Sequence, residues 1–285
     1  MTVVPDAATA AMVRHPITMF LPELSEADAQ GRTKAIYEDM KRLGGVPMVA
    51  LIFRHFATHQ GVLEWLWDAI GPAWKNGHLQ ETAWRIARSA RLQPIAKMHR
   101  PALRAWGVDE AAESEIRDVL VAYNRANPEN MLTILCALRV LQGSHAAEKM
   151  ARREWSPPAA VPIVPMTDVR TMPAEVSDVL DLVAAPGEPG KPRVVQSLYR
   201  HFGHRPAFLA AAVTLVRQRF DDGSIDRAVA GIHTAMSSEA DQIVRSLSAG
   251  KCPHPGIEEV CRRFSSAVIP QMIVVGRLLE DALPK

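Results

Sequence analysis

Apolar residues recur at three- and four-residue steps along most of this chain, while alternating apolar and polar runs bounded by turn residues are nearly absent. Steps of three and four line up on one face of an α-helix, whereas a half-buried strand needs strict alternation. The sequence therefore predicts an all-α fold. The clearest run is Ile116 to Leu141, which Asn127-Pro128 interrupts. Proline lacks a backbone donor and clashes with the preceding turn, so a kink or a helix boundary is expected there. Similar periodicity covers 27–43, 49–70, 81–92, 206–219 and 224–249.

The helical pattern fails in two places. Between Gly143 and Pro173 the chain carries Pro157, Pro158, Pro162, Pro165 and Pro173. No continuous helix tolerates that density, and an extended linker rich in polyproline conformation is expected. The second break, Ala184 to Pro192, has the Gly-Pro composition of a loop.

The two sides of the linker share landmarks. Ile52 to Leu63 contains Arg54-His55-Phe56, and Leu198 to Leu209 contains Arg200-His201-Phe202. Each segment follows a proline, Pro47 or Pro192, and each precedes a helical run closed by a glycine turn at Gly77 or Gly223. Asn127-Pro128 matches Ile269-Pro270, again followed by an apolar helix. The spacing is 142 to 146 residues, half the chain. Such order implies two related helical halves, 1–142 and 173–285, joined by the segment 143–172. Halves of that kind are expected to pack as a pseudo-dimer with a central pocket.

Composition narrows the function classes. Formal net charge is +2, from 33 basic and 31 acidic residues, which argues against a phosphate-seeking nucleic-acid binder. Hydrophobic residues make up 48%, enough for a sizeable core. Cys136, Cys252 and Cys261 are too few and scattered for a disulfide framework. No apolar run approaches the roughly 20 residues of a membrane helix, and the first residues do not read as a signal peptide. A cytoplasmic protein without a membrane partner is expected. The tryptophans, Trp65, Trp67, Trp74, Trp84, Trp106 and Trp155, read mostly as core.

No GxGxxG, Walker, HExxH or GxSxG motif is present, so a site must be assembled from helices. On a continuous helix Met48, Leu51 and His55 would form one stripe, as would Val194, Ser197 and His201. Each histidine either bonds a backbone carbonyl within its own half or faces the pocket. His201 is the better base in the second case, because imidazole titrates near neutrality. A metal held by His55 and His201 alone would be under-liganded, so no metal and no cofactor is expected. In Tyr123 to Pro128 two amides interrupt an apolar helix. Asn124 and Asn127 either satisfy backbone freed by Pro128 or hold a polar ligand. The counterpart of Asn127 is Ile269, and a helix-repair role should recur in both halves, which favours a ligand role for Asn127.

The chain resembles the DehI-type 2-haloacid dehalogenases, the group that acts on both enantiomers. The resemblance rests on YEDM (37–40), VPMVAL (46–51), the paired Arg-His-Phe segments, YNRANP (123–128) and AVIPQMIVVGRLL (267–279). It implies an all-α fold of two related halves around a central pocket. It also implies hydrolysis of short 2-halo acids without a covalent intermediate, by a water that an aspartate activates and an asparagine helps to hold. Position by position, the asparagine falls on Asn127. Pocket aromatics fall on Met48 and Leu51, a serine on Ser197, and a pocket tyrosine on Cys261. The aspartate falls on Leu198, which cannot accept a proton. Weak or absent activity on simple 2-halo acids is expected, with His201 as the substitute base.

Two other functions stay open on the sequence. One is a different enzyme on this scaffold that uses His55, His201 and Arg200 for proton transfer on a small carboxylate substrate. The other is a non-catalytic protein that binds a small molecule. The expected partner in every case is a short carboxylic acid, with no nucleic acid; a homodimer also stays open.

Overall fold

The structure is a computed structural model that describes residues 21–143, 153–168, 171–183 and 195–285. All regular elements among them are helical. The predicted loop at 184–192, Val194, and parts of the linker at 144–152 and 169–170 lie outside the described residues, as do the first 20 residues.

Six helices precede the linker: α1 (Gly31–Gly44), α2 (Leu51–Phe56), α3 (Val62–Lys75), α4 (His78–Ser89), α5 (Arg100–Ala105) and α6 (Glu110–Leu141). Six more follow: α7 (Ala174–Asp181), α8 (Ser197–Phe202), α9 (Pro206–Asp221), α10 (Ser224–Ile243), α11 (Ile257–Arg263) and α12 (Ile269–Ala282). A π-helical turn, Phe264–Val268, joins α11 to α12. The pattern expected over 49–70 splits into α2 and α3, because the chain leaves the helix at Ala57 and re-enters after Gly61 at φ +77. Helices α5, α7 and α11 are too short for periodicity to reveal them.

Helix α6 organises the molecule. It runs 32 residues and packs against α1, α3, α4, α8, α10, α11 and α12. Asp109 caps its start by accepting from the Ala112 N–H at 2.8 Å, and Glu110 and Glu113 sit favourably in the first turn. Of the kink or boundary expected at Pro128, the boundary does not occur, since α6 passes through it. An interior proline costs about 3 kcal/mol in an isolated helix. Every residue from Ala126 to Leu138 is buried here, so packing on all sides offsets that cost.

The landmark segments adopt matching local structure. Helices α2 and α8 each span six residues, after an extended residue at Ala50 (φ −63°, ψ 146°) or Gln196 (φ −67°, ψ 141°). Helices α3 and α9 follow, then Gly77 (φ +74) or Gly223 (φ +70) before α4 or α10. The proline of the last landmark lies inside α6 in one case and in the first turn of α12 in the other. There the π-helical turn Phe264–Val268 continues from α11 into α12, so Pro270 also lies within an unbroken helical run.

The segment 153–168 is irregular but pinned along its length. Trp155 donates to the Leu43 carbonyl at 3.0 Å, and Arg125 donates to the Gly45 and Ala159 carbonyls at 2.9 and 2.7 Å. Further along, His204 bonds the Pro165 carbonyl at 2.7 Å. This strap passes so close to Gly45 (φ +61) that a Cβ there would lie 2.4 Å from the Pro158 carbonyl oxygen. Gly45→Ala should therefore destabilise by about 1–3 kcal/mol more than Gly107→Ala, which carries only the left-handed backbone penalty of about 1–2 kcal/mol. Gly107 has φ +75 and open space around it. Urea denaturation of both variants checks this; equal losses would mean that the strap does not press on Gly45.

Candidate functional site

A cavity of about 340 Å³ lies against the middle of α6. Its walls come from Pro47–Ile52 and Arg54, from Tyr123, Ala126, Asn127 and Asn130 on α6, from Ile163–Met166 of the strap, from Val195–Leu198 and His201, and from Phe264, Val268, Ile269 and Met272. The size suits a small molecule. The wall is mostly apolar, with Met48, Leu51, Val195, Leu198, Phe264 and Met272 among its residues.

Met48, Leu51, Asn127, Ser197, Leu198 and His201 all line this cavity. Met48 does so from the extended segment before α2, so the helical stripe expected from it to His55 does not form. Ser197 opens α8, and Leu198 is fully buried. His55, Arg200, Asn124 and Cys261 are not among the lining residues. The His55 Nδ1 lies 2.7 Å from the Pro22 carbonyl, and its ring stacks edge-on to His59 at 5.1 Å. His55 thus bonds a backbone carbonyl away from the cavity, whereas His201 lines the cavity and also hydrogen-bonds the Val164 backbone. Arg200 donates from Nε to the Thr167 carbonyl at 3.3 Å; Arg54, its counterpart, lines the cavity instead and is tied to Glu23 at 2.9 Å. Asn124 turns to another face of α6 and donates to Glu280 at 2.8 Å. Cys261 is buried on α11, where burial pushes its thiol up to about 12.

Several polar groups in the wall lack a protein partner among the described residues: Asn127 Nδ2, His201 Nδ1 and both side-chain polar atoms of Gln196 are buried and unbonded there. An unsatisfied buried polar group costs roughly 1–3 kcal/mol, so three such residues around one small cavity favour a polar guest that bonds them. Gln196 escaped sequence reasoning. The residue before a helix is a common capping position, but glutamine there carries no standard signal. Tyr123, Asn130 and Arg54 were also missed. Burial raises the Tyr123 hydroxyl well above its ordinary range, against an opposing side-chain hydrogen bond from Ser197. Its ring packs edge-on to His201 at 5.4 Å.

No aspartate or glutamate lines the cavity among the described residues. Among the described residues, His201 is the lining side chain that offers a neutral nitrogen as a base. Burial pushes its imidazole down to about 4, opposed by the Val164 backbone and helped by the nearby charges of His204 and Arg200. It is therefore neutral above that pH. A neutral imidazole with that pKa has the basicity of an ordinary carboxylate, without the negative charge.

Among the described residues the fold is thus all-helical, and its longest helix carries an amide-lined cavity with no carboxylate in its wall. The family model described as "Halocarboxylic acid dehydrogenase DehI" matches residues 47–183. A configuration-inverting 2-haloacid dehalogenase of Alcaligenes xylosoxydans xylosoxydans is 26% identical over 174 residues, 58% of this chain and 58% of that protein. A second, of Pseudomonas sp. (strain 113), is 25% identical over 124 residues, 43% of this chain and 40% of that protein. The matched stretches thus span about half the length of these curated relatives. Among solved structures, a D-2-haloacid dehalogenase mutant in complex with D-2-CPA has a TM-score of 0.67 at 18% identity, covering 94% of this chain and 96% of that one. A D-2-haloacid dehalogenase with L-LA has a TM-score of 0.67 at 18% identity, covering 95% and 97%. These structures share the fold. Over residues 47–183, just under half of its length, the chain is similar to the DehI-type family.

The His201 shift has a consequence for stability. Its folded pKa is below the unfolded value of about 6.5, so the unfolded chain binds the proton first. Stability is complete above about pH 6.5 and falls as pH drops toward 4, by on the order of 3 kcal/mol from this one group. Urea unfolding between pH 7.5 and 4.5 should show a decline that His201→Gln flattens relative to wild type. Parallel curves for the two proteins would contradict a buried neutral imidazole.

Proposed function

We propose that the cavity binds a short organic acid in the manner of a 2-haloacid dehalogenase, with little or no hydrolysis of simple 2-halo acids. The observation that carries this reading is Leu198, fully buried in the cavity wall where the resemblance puts the water-activating aspartate. Water has a pKa of about 15.7, and general-base help is worth roughly 10²–10⁴ in rate. An apolar side chain supplies none. Asn127 Nδ2 and the Gln196 amide would bond the substrate carboxylate or a water. Met48, Leu51 and Leu198 would enclose the carbon chain, and Ser197 would act with Tyr123. Residual turnover would run through His201 Nδ1, taking a proton from water as halide leaves the carbon that water attacks. Apolar enclosure supports this reading, as do the donors without protein partners.

The architecture we infer behind the site is an internal duplication, 1–142 and 173–285, packed as a pseudo-dimer and joined by 143–172. It is supported by the shared order of short helix, longer helix, left-handed glycine and helix on the two sides of the strap. A cytoplasmic location is in keeping with three free cysteines.

Halide release from 2-chloropropionate tests the chemistry. Wild type should turn over slowly or not at all, and any residual rate should vanish in His201→Ala. Leu198→Asp should raise the rate at least tenfold. Thermal melting of that variant shows whether the buried carboxylate is tolerated, since an uncompensated buried charge is costly. Fast wild-type turnover that survives His201→Ala would overturn the proposal.

A further inference from the structure

We propose a second ligand site, for an oligophosphate group, in a cleft separate from the acid-binding cavity. The cleft has a volume of about 750 Å³ and lies where α4, α6 and α12 meet residues 283–285. Arg88, Lys97, Arg117, Arg125, Arg277 and Lys285 line it, against two carboxylates, Glu280 and Asp281. The whole chain carries a formal charge of only +2, so this one cleft gathers far more positive charge than the average surface.

Three features keep that charge available. Arg88, Lys97 and Arg125 pair with no carboxylate among the described residues. Backbone carbonyls hold several of the cations: Arg277 donates to Ala87, Lys97 to Asp281, and Arg125 to Gly45 and Ala159. A carbonyl orients a guanidinium or ammonium without cancelling its charge. Of the acidic side chains, Glu280 is engaged by Asn124, and Asp281 faces Arg277 alone at 3.9 Å and offsets that one cation. Arg117 alone is matched by a well-buried acid, Glu113, at 3.0 Å.

Oligophosphate fits better than a single short acid. Arginine, four of the six cations, presents paired donors that match phosphate oxygens. The cations come from three helices, the α4–α5 connection and Lys285 beyond α12, so a guest must carry several negative charges to meet them together. The aromatic side of Trp84 also lines the cleft. None of the side chains in the cleft lines the acid-binding cavity.

Isothermal titration with sodium tripolyphosphate at low salt tests the site on the full chain. Saturable one-site binding is expected, weakening as NaCl rises from about 50 to about 200 mM. Arg88→Gln and Lys97→Gln, both exposed positions, should weaken it at least tenfold in combination with no change in melting temperature. ATP binding more tightly than tripolyphosphate would assign a nucleotide, and equal affinity would assign the phosphate chain alone. No saturable binding, binding unaffected by the double variant, or citrate binding as tightly as tripolyphosphate would each overturn the proposal.

Discussion

Everything at the candidate site depends on α6 continuing through Pro128. A proline inside a helix gives up one backbone hydrogen bond and crowds the preceding turn. Here the surrounding helices cover that stretch so completely that Ala126 to Leu138 is buried without a break. The helix therefore presents Tyr123, Asn127 and Asn130 to one cavity and Arg117, Asn124 and Arg125 to a cleft elsewhere. If α6 ended at Pro128, Asn127 would not be fixed against the elements that close the cavity.

The strap 153–168 is the second dependence. A Pro-rich segment forms no helix, and its backbone needs partners elsewhere. Trp155, Arg125 and His204 anchor it to both sides of the molecule. Ile163 to Met166 then close the cavity that α6 floors. The segment that joins the two sides of the chain is thus also part of the site wall.

Much of this was legible in the sequence, and for identifiable reasons. Helical spacing over long runs is a strong signal, which is why α1, α4, α9 and α10 fall where the periodicity puts them. Asn127 stood out because an amide in an apolar helix is costly. Burial decided what spacing could not. His55 and His201 are equivalent in sequence, yet one bonds Pro22 and the other lines the cavity. Asn124 and Asn127 sit one turn apart, and their different surroundings separate them. Gln196 gave no signal, because its importance comes only from the lack of a protein partner once the chain has folded. Cys261 was placed by resemblance alone, and the π-helical turn after it brings Phe264 and Val268 to the wall instead.

The central claim is that buried amides in an apolar cavity, rather than a carboxylate, define what this protein holds. A crystal structure with 2-chloropropionate bound measures that directly. The account predicts the acid in this cavity, with a carboxylate oxygen or a bridging water within about 3.2 Å of Asn127 Nδ2 and of the Gln196 amide. An acid bound elsewhere, or one in the cavity with both amides left unbonded, would contradict it.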